Sequence, residues 1–267
     1  MRRYDLDWLR VLVFALLIFY HVGMLFVPWD FHLKNNSTYQ WMTYPMWFVN
    51  QWRLPILFVI SGMGTFYALH KRSGKQFILD RVVRLYIPLA FGMLFIVPPQ
   101  VFYERLYKKQ FTGNFLDFWP TEALTGIYPE GNFSWHHLWF LPYLLLFSIV
   151  LVPVFLYMKN HMKNWLTVSV QHLLKRPLGW FVFIVPLYMA EAFVEPYYPV
   201  THALVGDWFT VVNYLVLFFF GFVLVTVKDV FWIGVVQFRK LFLTTGVVSF
   251  TIMLMIVFNF EDSLPRH

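Results

Sequence analysis

Residues 11–29, 131–158, 208–227 and 241–260 contain no Asp, Glu, Lys or Arg. Uncharged runs of this length constrain the fold more than any motif does. A helix needs about 17–25 mostly apolar residues to cross a bilayer, and a backbone in lipid must satisfy its own hydrogen bonds. Charged residues are 13% of the 267 and hydrophobic residues 59%, whereas a soluble domain carries about 25% charge. The fold class is therefore all-α, a polytopic transmembrane helix bundle. Seven spans are predicted, at about 8–28, 46–70, 84–103, 135–157, 179–195, 208–227 and 240–260. No linker or low-complexity segment separates them, so residues 1–267 read as a single membrane-embedded domain. The opening Met1-Arg2-Arg3 imitates a secretory signal. The apolar stretch from Val11 to Val27 is longer than such a signal needs, and no small-residue cleavage site follows it, so a retained helix is expected.

Charge placement orients the bundle. The net charge is +7, and its basic residues favour alternate loops. Arg2 and Arg3, then Lys71, Arg72, Lys75, Arg81 and Arg84, then Lys159, Lys163, Lys175 and Arg176, then Lys228, Arg239 and Lys240 fall on one side. The segments 29–45 and 196–207 hold Lys34 and nothing basic, respectively, and Arg266 is alone in the tail. Basic loops stay in the cytoplasm, which places the N-terminus inside and residue 267 outside. Segment 104–134 is mixed, with Arg105, Lys108 and Lys109 against Glu104, Asp117, Glu122 and Glu130. This basic pattern is one of membrane orientation, and no nucleic-acid module is present. The chain has no cysteine, which excludes disulfides and a thiol nucleophile.

Two polar residues interrupt the first span. Arg10 and His21 are 11 positions apart, which is three helical turns plus roughly 20°, so they share a face about 16 Å apart. Asp7 stands one turn before Arg10 and can pair with it. Arg10 can act as an interface anchor or as a ligand group. An ionisable residue such as His21 inside a span usually faces a cavity or the bundle interior. A transporter or a heme-binding electron carrier using His21 and His137 is compatible with these residues, as is an enzyme.

Four motifs occur in order on successive spans. They are "LRVLVFALLIFYH" (9–21), "RLPILFVISG" (53–62), "FILDRVVRLYIPL" (77–89) and "HLWFLPYLLLF" (137–147). Together they resemble the membrane acyltransferase family 3, with "LDWLRV" and "HLWFL" most similar to its glucan-biosynthesis protein C branch. The resemblance covers residues 5–150 by motif and the remainder by hydropathy. It implies an enzyme that moves an acetyl- or succinyl-type group from cytoplasmic acyl-CoA, as co-substrate, to a hydroxyl of an extracytoplasmic glycan. It implies the bacterial inner membrane, with the lipid bilayer as surroundings and no bound cofactor or metal. Family members have about ten spans against the seven predicted here, so a fragment or a short homologue, with an open side near its last helices, is expected.

The resemblance makes His21 the catalytic base, with Arg10 beside the donor. It gives Arg84 and Arg81 to the CoA phosphates, which a guanidinium fork fits well, although cytoplasmic position alone also accounts for both. Arg53 and His137 become acceptor or carbonyl contacts. "RLP" reads as a helix start at the outer face, since proline suits a first turn. Ser61, Gly62 and Gly64 read as close helix packing rather than chemistry, and no Gly-x-Ser-x-Gly motif supports a serine nucleophile. His136 and His137 are neighbours, so only one faces the bundle core. Glu191 either polarises a histidine or lies near the outer interface. The rings of segment 104–134, Tyr128 and Phe133 among them, read as interfacial packing with no site role.

Overall fold

The computed structural model describes residues 4–260, and its elements are helical throughout. Arg2, Arg3 and Arg266, which enter the orientation argument, lie outside the described residues. In chain order the α-helices are α1 (Tyr4–Gly23), α2 (Thr43–His70), α3 (Gly74–Arg81), α4 (Ile87–Phe91), α5 (Val97–Tyr107), α6 (Phe115–Thr121), α7 (Phe140–Asn160), α8 (Trp165–Leu174), α9 (Ile184–Phe193), α10 (Trp208–Thr226), α11 (Lys228–Gln237) and α12 (Arg239–Phe260). Among the described residues, six stretches are long and apolar enough to cross a membrane: 4–23, 40–70, 74–107, 136–160, 208–226 and 239–259.

The predicted fifth span differs from the other six. It is a 3₁₀ stretch over Pro177–Phe183 followed by α9, 17 residues in all. A 3₁₀ turn rises about 2.0 Å per residue against 1.5 Å for an α-helix, so the segment still reaches roughly 29 Å, close to the hydrocarbon thickness. Its start is at the basic end of the bundle, where Trp180 meets the rings of Phe231 and Phe242. The chain then reappears at the opposite end, where Asp207 accepts a hydrogen bond from Tyr143 at the head of α7. The segment is thus shorter than the six long spans, and the fourteen residues after it complete the path to that end. α12 also ends at that outer side, with Phe250 and Phe258 against Phe48 and Tyr44 at the head of α2. No side chain of the Arg239–Asn259 stretch is buried within the protein.

The core is built where α2, α7 and α10 cross. Phe58, Phe147, Phe155, Phe218 and Phe222 are fully buried there, and Phe155 stacks on Phe222 at 3.8 Å. The crossing of α2 and α10 is tight because both partners offer glycine. A methyl at Gly62 would overlap the Phe218 carbonyl, and one at Gly221 would overlap the Val59 carbonyl. Small residues allow backbones this close in a membrane bundle, which is the role read for Gly62. Forcing a methyl into packed backbone costs typically 1–3 kcal/mol or more. Gly62→Ala and Gly221→Ala are each expected to lower the thermal midpoint in detergent by several degrees. Gly246→Ala has nothing within 4 Å of the new carbon and serves as the unchanged control. Equal midpoints in all three would contradict the tight crossing.

Prolines shape the other long spans. Residues 74–107 form one continuous helix carrying two π-helical stretches, Val82–Tyr86 and Gly92–Ile96. Each precedes a proline, whose ring clashes with the carbonyl four residues back and whose nitrogen cannot donate to it. Pro98 deprives the Leu94 carbonyl of its donor, and the Trp119 indole supplies one at 2.9 Å. Pro55 lies inside α2, twelve residues after its start at Thr43, so "RLP" is not a helix start. The helix begins earlier, which draws Arg53 in from the surface to the depth of the last turn of α1. That helix in turn ends sooner than predicted. Beyond Gly23 the chain turns back, and the Lys34 ammonium donates to the carbonyls of Met24 and Val27 at 2.8 Å each.

Candidate functional site

The basic end holds a pocket of about 340 Å³ between α1, α2 and α3. Arg10, Lys71, Arg72, Arg81 and Arg84 line it, with Asp7 and Asp80 as the acidic members. The acids take up part of the charge: Arg72 pairs with Asp80 at 2.6 Å, and Arg10 lies 4.0 Å from Asp7 as predicted. Arg81 is drawn inward. It donates to the buried Thr65 hydroxyl at 2.7 Å and lies over the Phe77 ring at 5.0 Å. Arg84 remains exposed on the π stretch that follows. Gly64 also lines the pocket, and a side chain there would press on the Arg10 guanidinium at 3.2 Å. The three arginines read from sequence as donor contacts therefore share one cavity.

His21 is at the other end of α1, in its last turn. Its Nδ1 is 2.6 Å from the Leu17 carbonyl. A carbonyl only accepts, so Nδ1 carries a proton, and in the neutral ring Nε2 keeps a lone pair. His137 approaches with its ring centre 6.3 Å away. Arg53 is fixed beside them. Its guanidinium lies 3.7 Å over the Tyr20 ring and donates to Asn50 Oδ1 at 2.7 Å, an oxygen that also accepts from the Tyr20 hydroxyl. Arg53 Nε is buried without a hydrogen-bond partner. His21, His137 and Arg53 thus form a second group, separated from the arginine pocket by the length of α1. Glu191 is exposed near the end of α9.

A third group has no counterpart in the sequence reading. Glu104 is 1% exposed and accepts from Lys108 at 2.6 Å, His32 Nδ1 at 2.7 Å and the Tyr128 hydroxyl at 3.0 Å. Burial, and then the Glu104 carboxylate, push the Tyr128 phenol up to about 12, so its proton stays in place. His136 turns away from His137 and lies with its ring centre 4.6 Å from both His32 and Tyr128. Arg105 holds the surrounding loop through Asn132, Gln110 and the carbonyls of Pro129 and Gly131. Lys108 and Arg105 are therefore structural cations, which explains why segment 104–134 departs from the charge rule. Asp207, fully buried nearby, accepts from the His202 backbone N–H at 2.7 Å and from Tyr143. Trp139 stacks on His202 at 4.0 Å. Burial holds the His202 imidazole below its usual range, Asp207 opposing and Arg53 reinforcing the shift. A Glu-x3-Lys pair one turn apart was the one local signal for this group. Among the described residues, no three His, Cys, Asp or Glu side chains converge as a metal site.

Residues 3–266 match a family model described as an acyltransferase domain. The chain is 27% identical over 166 residues to the glucans biosynthesis protein C of Salmonella paratyphi B, Salmonella heidelberg and Salmonella enteritidis PT4. Each of these matches covers 61% of this chain and 41% of the relative, so the chain spans about two fifths of the length of the curated relatives it matches. No solved structure matches it.

Proposed function

We propose that this chain, which belongs to the acyltransferase family matched across residues 3–266, transfers an acetyl- or succinyl-type group from cytoplasmic acyl-CoA to a hydroxyl of an extracytoplasmic carbohydrate in a bacterial inner membrane. One observation carries the reading: a single helix, α1, has a cationic pocket at one end and a histidine with an available Nε2 at the other. Acyl-CoA has matching parts. Its phosphates suit Arg10, Arg81 and Arg84, and its thin pantetheine arm suits a passage between helices. The glucan in the relatives' name supports a carbohydrate acceptor.

The chemistry needs one base and one anion stabiliser. His21 Nε2 takes the proton from the acceptor hydroxyl as its oxygen attacks the thioester carbonyl. Arg53, beside His21, supports the oxyanion that develops. Collapse breaks the carbon–sulfur bond, leaves the ester on the acceptor, and the proton on His21 passes to the departing CoA sulfur. Such general-base help is worth about 10²–10⁴-fold. Incubation of the purified protein with acetyl-CoA labelled in the acetyl group and a membrane glycan extract tests the reading. Free CoA should accumulate in step with labelled glycan. Movement of intact acylated product with no release of CoA would mark a transporter instead.

A further inference from the structure

The outer cavity has no part in the donor chemistry, yet it is built as a binding site. About 480 Å³ of space lies between His32, the loop that carries Tyr128 and His136, and residues 201–203. Small-molecule sites occupy roughly 300–1,000 Å³. His136 Nε2 is buried in its wall without a hydrogen-bond partner. Its backbone is left-handed, at φ 38°, a region unusual for a residue with a side chain. That conformation is held by the bond from its N–H to Ser134 Oγ at 3.0 Å. Strain of this kind persists where a side chain must be aimed. His32 has Nδ1 committed to Glu104, which leaves Nε2 for another partner. Thr201 adds a hydroxyl, and Trp135 and Tyr128 add ring surface.

The cavity's electrical character is the opposite of the inner pocket's. Among the described residues no Lys, Arg, Asp or Glu lines it. Of the nearby cations, Lys108 is paired with Glu104, and Arg105, which stays charged, directs its N–H groups to Asn132, Gln110 and two loop carbonyls rather than into the cavity. An anion entering here would lose water and meet no cationic donor in the lining to replace it, which is costly. A neutral polyol would find imidazole and hydroxyl partners for its hydroxyls and aromatic surface for its carbon face. The position also fits an acceptor. His136 and His137 are consecutive, and His137 faces His21 with ring centres 6.3 Å apart, so one residue separates the cavity wall from the histidine at the end of α1.

We infer that this cavity binds an uncharged sugar ring of the acceptor and that its wall, through His136, His32 and Thr201, selects against acidic sugars; the acceptor role rests on the acyl-transfer reading above. The test needs no acyl donor. Methyl glucoside, methyl galactoside and methyl mannoside are titrated into the protein in lipid nanodiscs, with glucuronate as the anionic counterpart, and saturation-transfer NMR reads binding. At least one methyl hexoside should bind saturably, and glucuronate about tenfold more weakly or worse. His136→Gly keeps the backbone conformation and removes the ring, and Thr201→Val removes one hydroxyl at constant size. Each should weaken hexoside binding roughly 3- to 10-fold, the usual worth of one hydrogen bond. Should His136→Gly fail to fold, Thr201→Val carries the comparison. Hexoside binding unchanged in the variants, glucuronate binding as tight as hexoside binding, or no saturable hexoside binding would each overturn the assignment. Hexoside binding without acyl transfer would refute the enzyme reading alone, and transfer without hexoside binding would refute this site alone.

Discussion

His21→Ala loses acyl transfer by about 10²–10⁴-fold while acyl-CoA binds with near-unchanged affinity; that is the expected result of removing a general base that does not touch the donor's charged head. The separation follows from geometry. Arg10 and His21 lie about 16 Å apart along one helix, so no small group contacts both, and a long thioester can. The Leu17 carbonyl fixes His21 with Nε2 outward, which is the orientation a base needs. His21 is half-buried in the last turn of α1, against the rings of Tyr20 and His137, so protein yield is measured beside the rate. A histidine kept for structure makes the opposite forecast, with lower protein yield and normal activity per molecule. Transfer rate and acyl-CoA affinity measured on the purified variant separate the two. A wild-type rate in His21→Ala would remove His21 from the chemistry.

The next largest effect is expected at the other end of the helix. Arg10→Ala should weaken acyl-CoA binding by roughly 10–150-fold, the equivalent of about 1.5–3 kcal/mol for a lost charge-assisted hydrogen bond. At saturating donor the rate should recover. Arg84→Ala should behave in the same direction, because Arg84 is exposed at the same pocket. Arg72→Ala is the informative contrast. Arg72 is held by Asp80 at 2.6 Å, so much of its charge is spent within the protein and its loss should matter less for the donor. Added salt should weaken donor binding in the parent chain and less so in Arg10→Ala, as expected of contacts that salt screens. Equal losses in Arg72→Ala and Arg10→Ala would contradict specific contacts and leave only a general positive field.

Much of this arrangement was legible in the sequence because it depends on local spacing. The shared face of Arg10 and His21 needs only the helical repeat, and the pairing with Asp7 needs only one turn. The six long spans and the packing role of Gly62 also follow from composition. Other features were hidden for physical reasons. On α1 the exposed Trp8, Val11, Leu12, Ile18 and Phe19 are as apolar as the buried Leu6, Val13 and Leu17. Lipid and protein core reward the same side chains, so amphipathic pattern, the usual guide to burial, is nearly silent. Proline misled at Pro55, where a favourable first-turn residue stands inside a long helix; the π turns before Pro88 and Pro98, which accommodate the ring, have no signature in the hydropathy. The group formed by His32, Glu104, Tyr128 and His136 could not be read at all. Its members come from three separate segments, and only the Glu104–Lys108 pair is local. Tyr128, counted among interfacial rings, lines the outer cavity instead, whereas Phe111, Phe115 and Phe118 do pack together, around Phe102.

The central claim is that one reaction site is served from two sides, with the donor entering at the arginine end of α1 and the acceptor at the histidine end. Sealed vesicles containing the protein in one orientation test it directly. Acetyl-CoA, labelled in the acetyl group, is supplied on one face and the glycan acceptor on the other, and both orders are compared. Labelled glycan should form when the donor faces the Arg10 and Arg84 pocket and the acceptor faces His21 and the outer cavity, and should be absent in the reverse order. Equal product in both orders, or product only when donor and acceptor share a face, would contradict a site that spans the membrane.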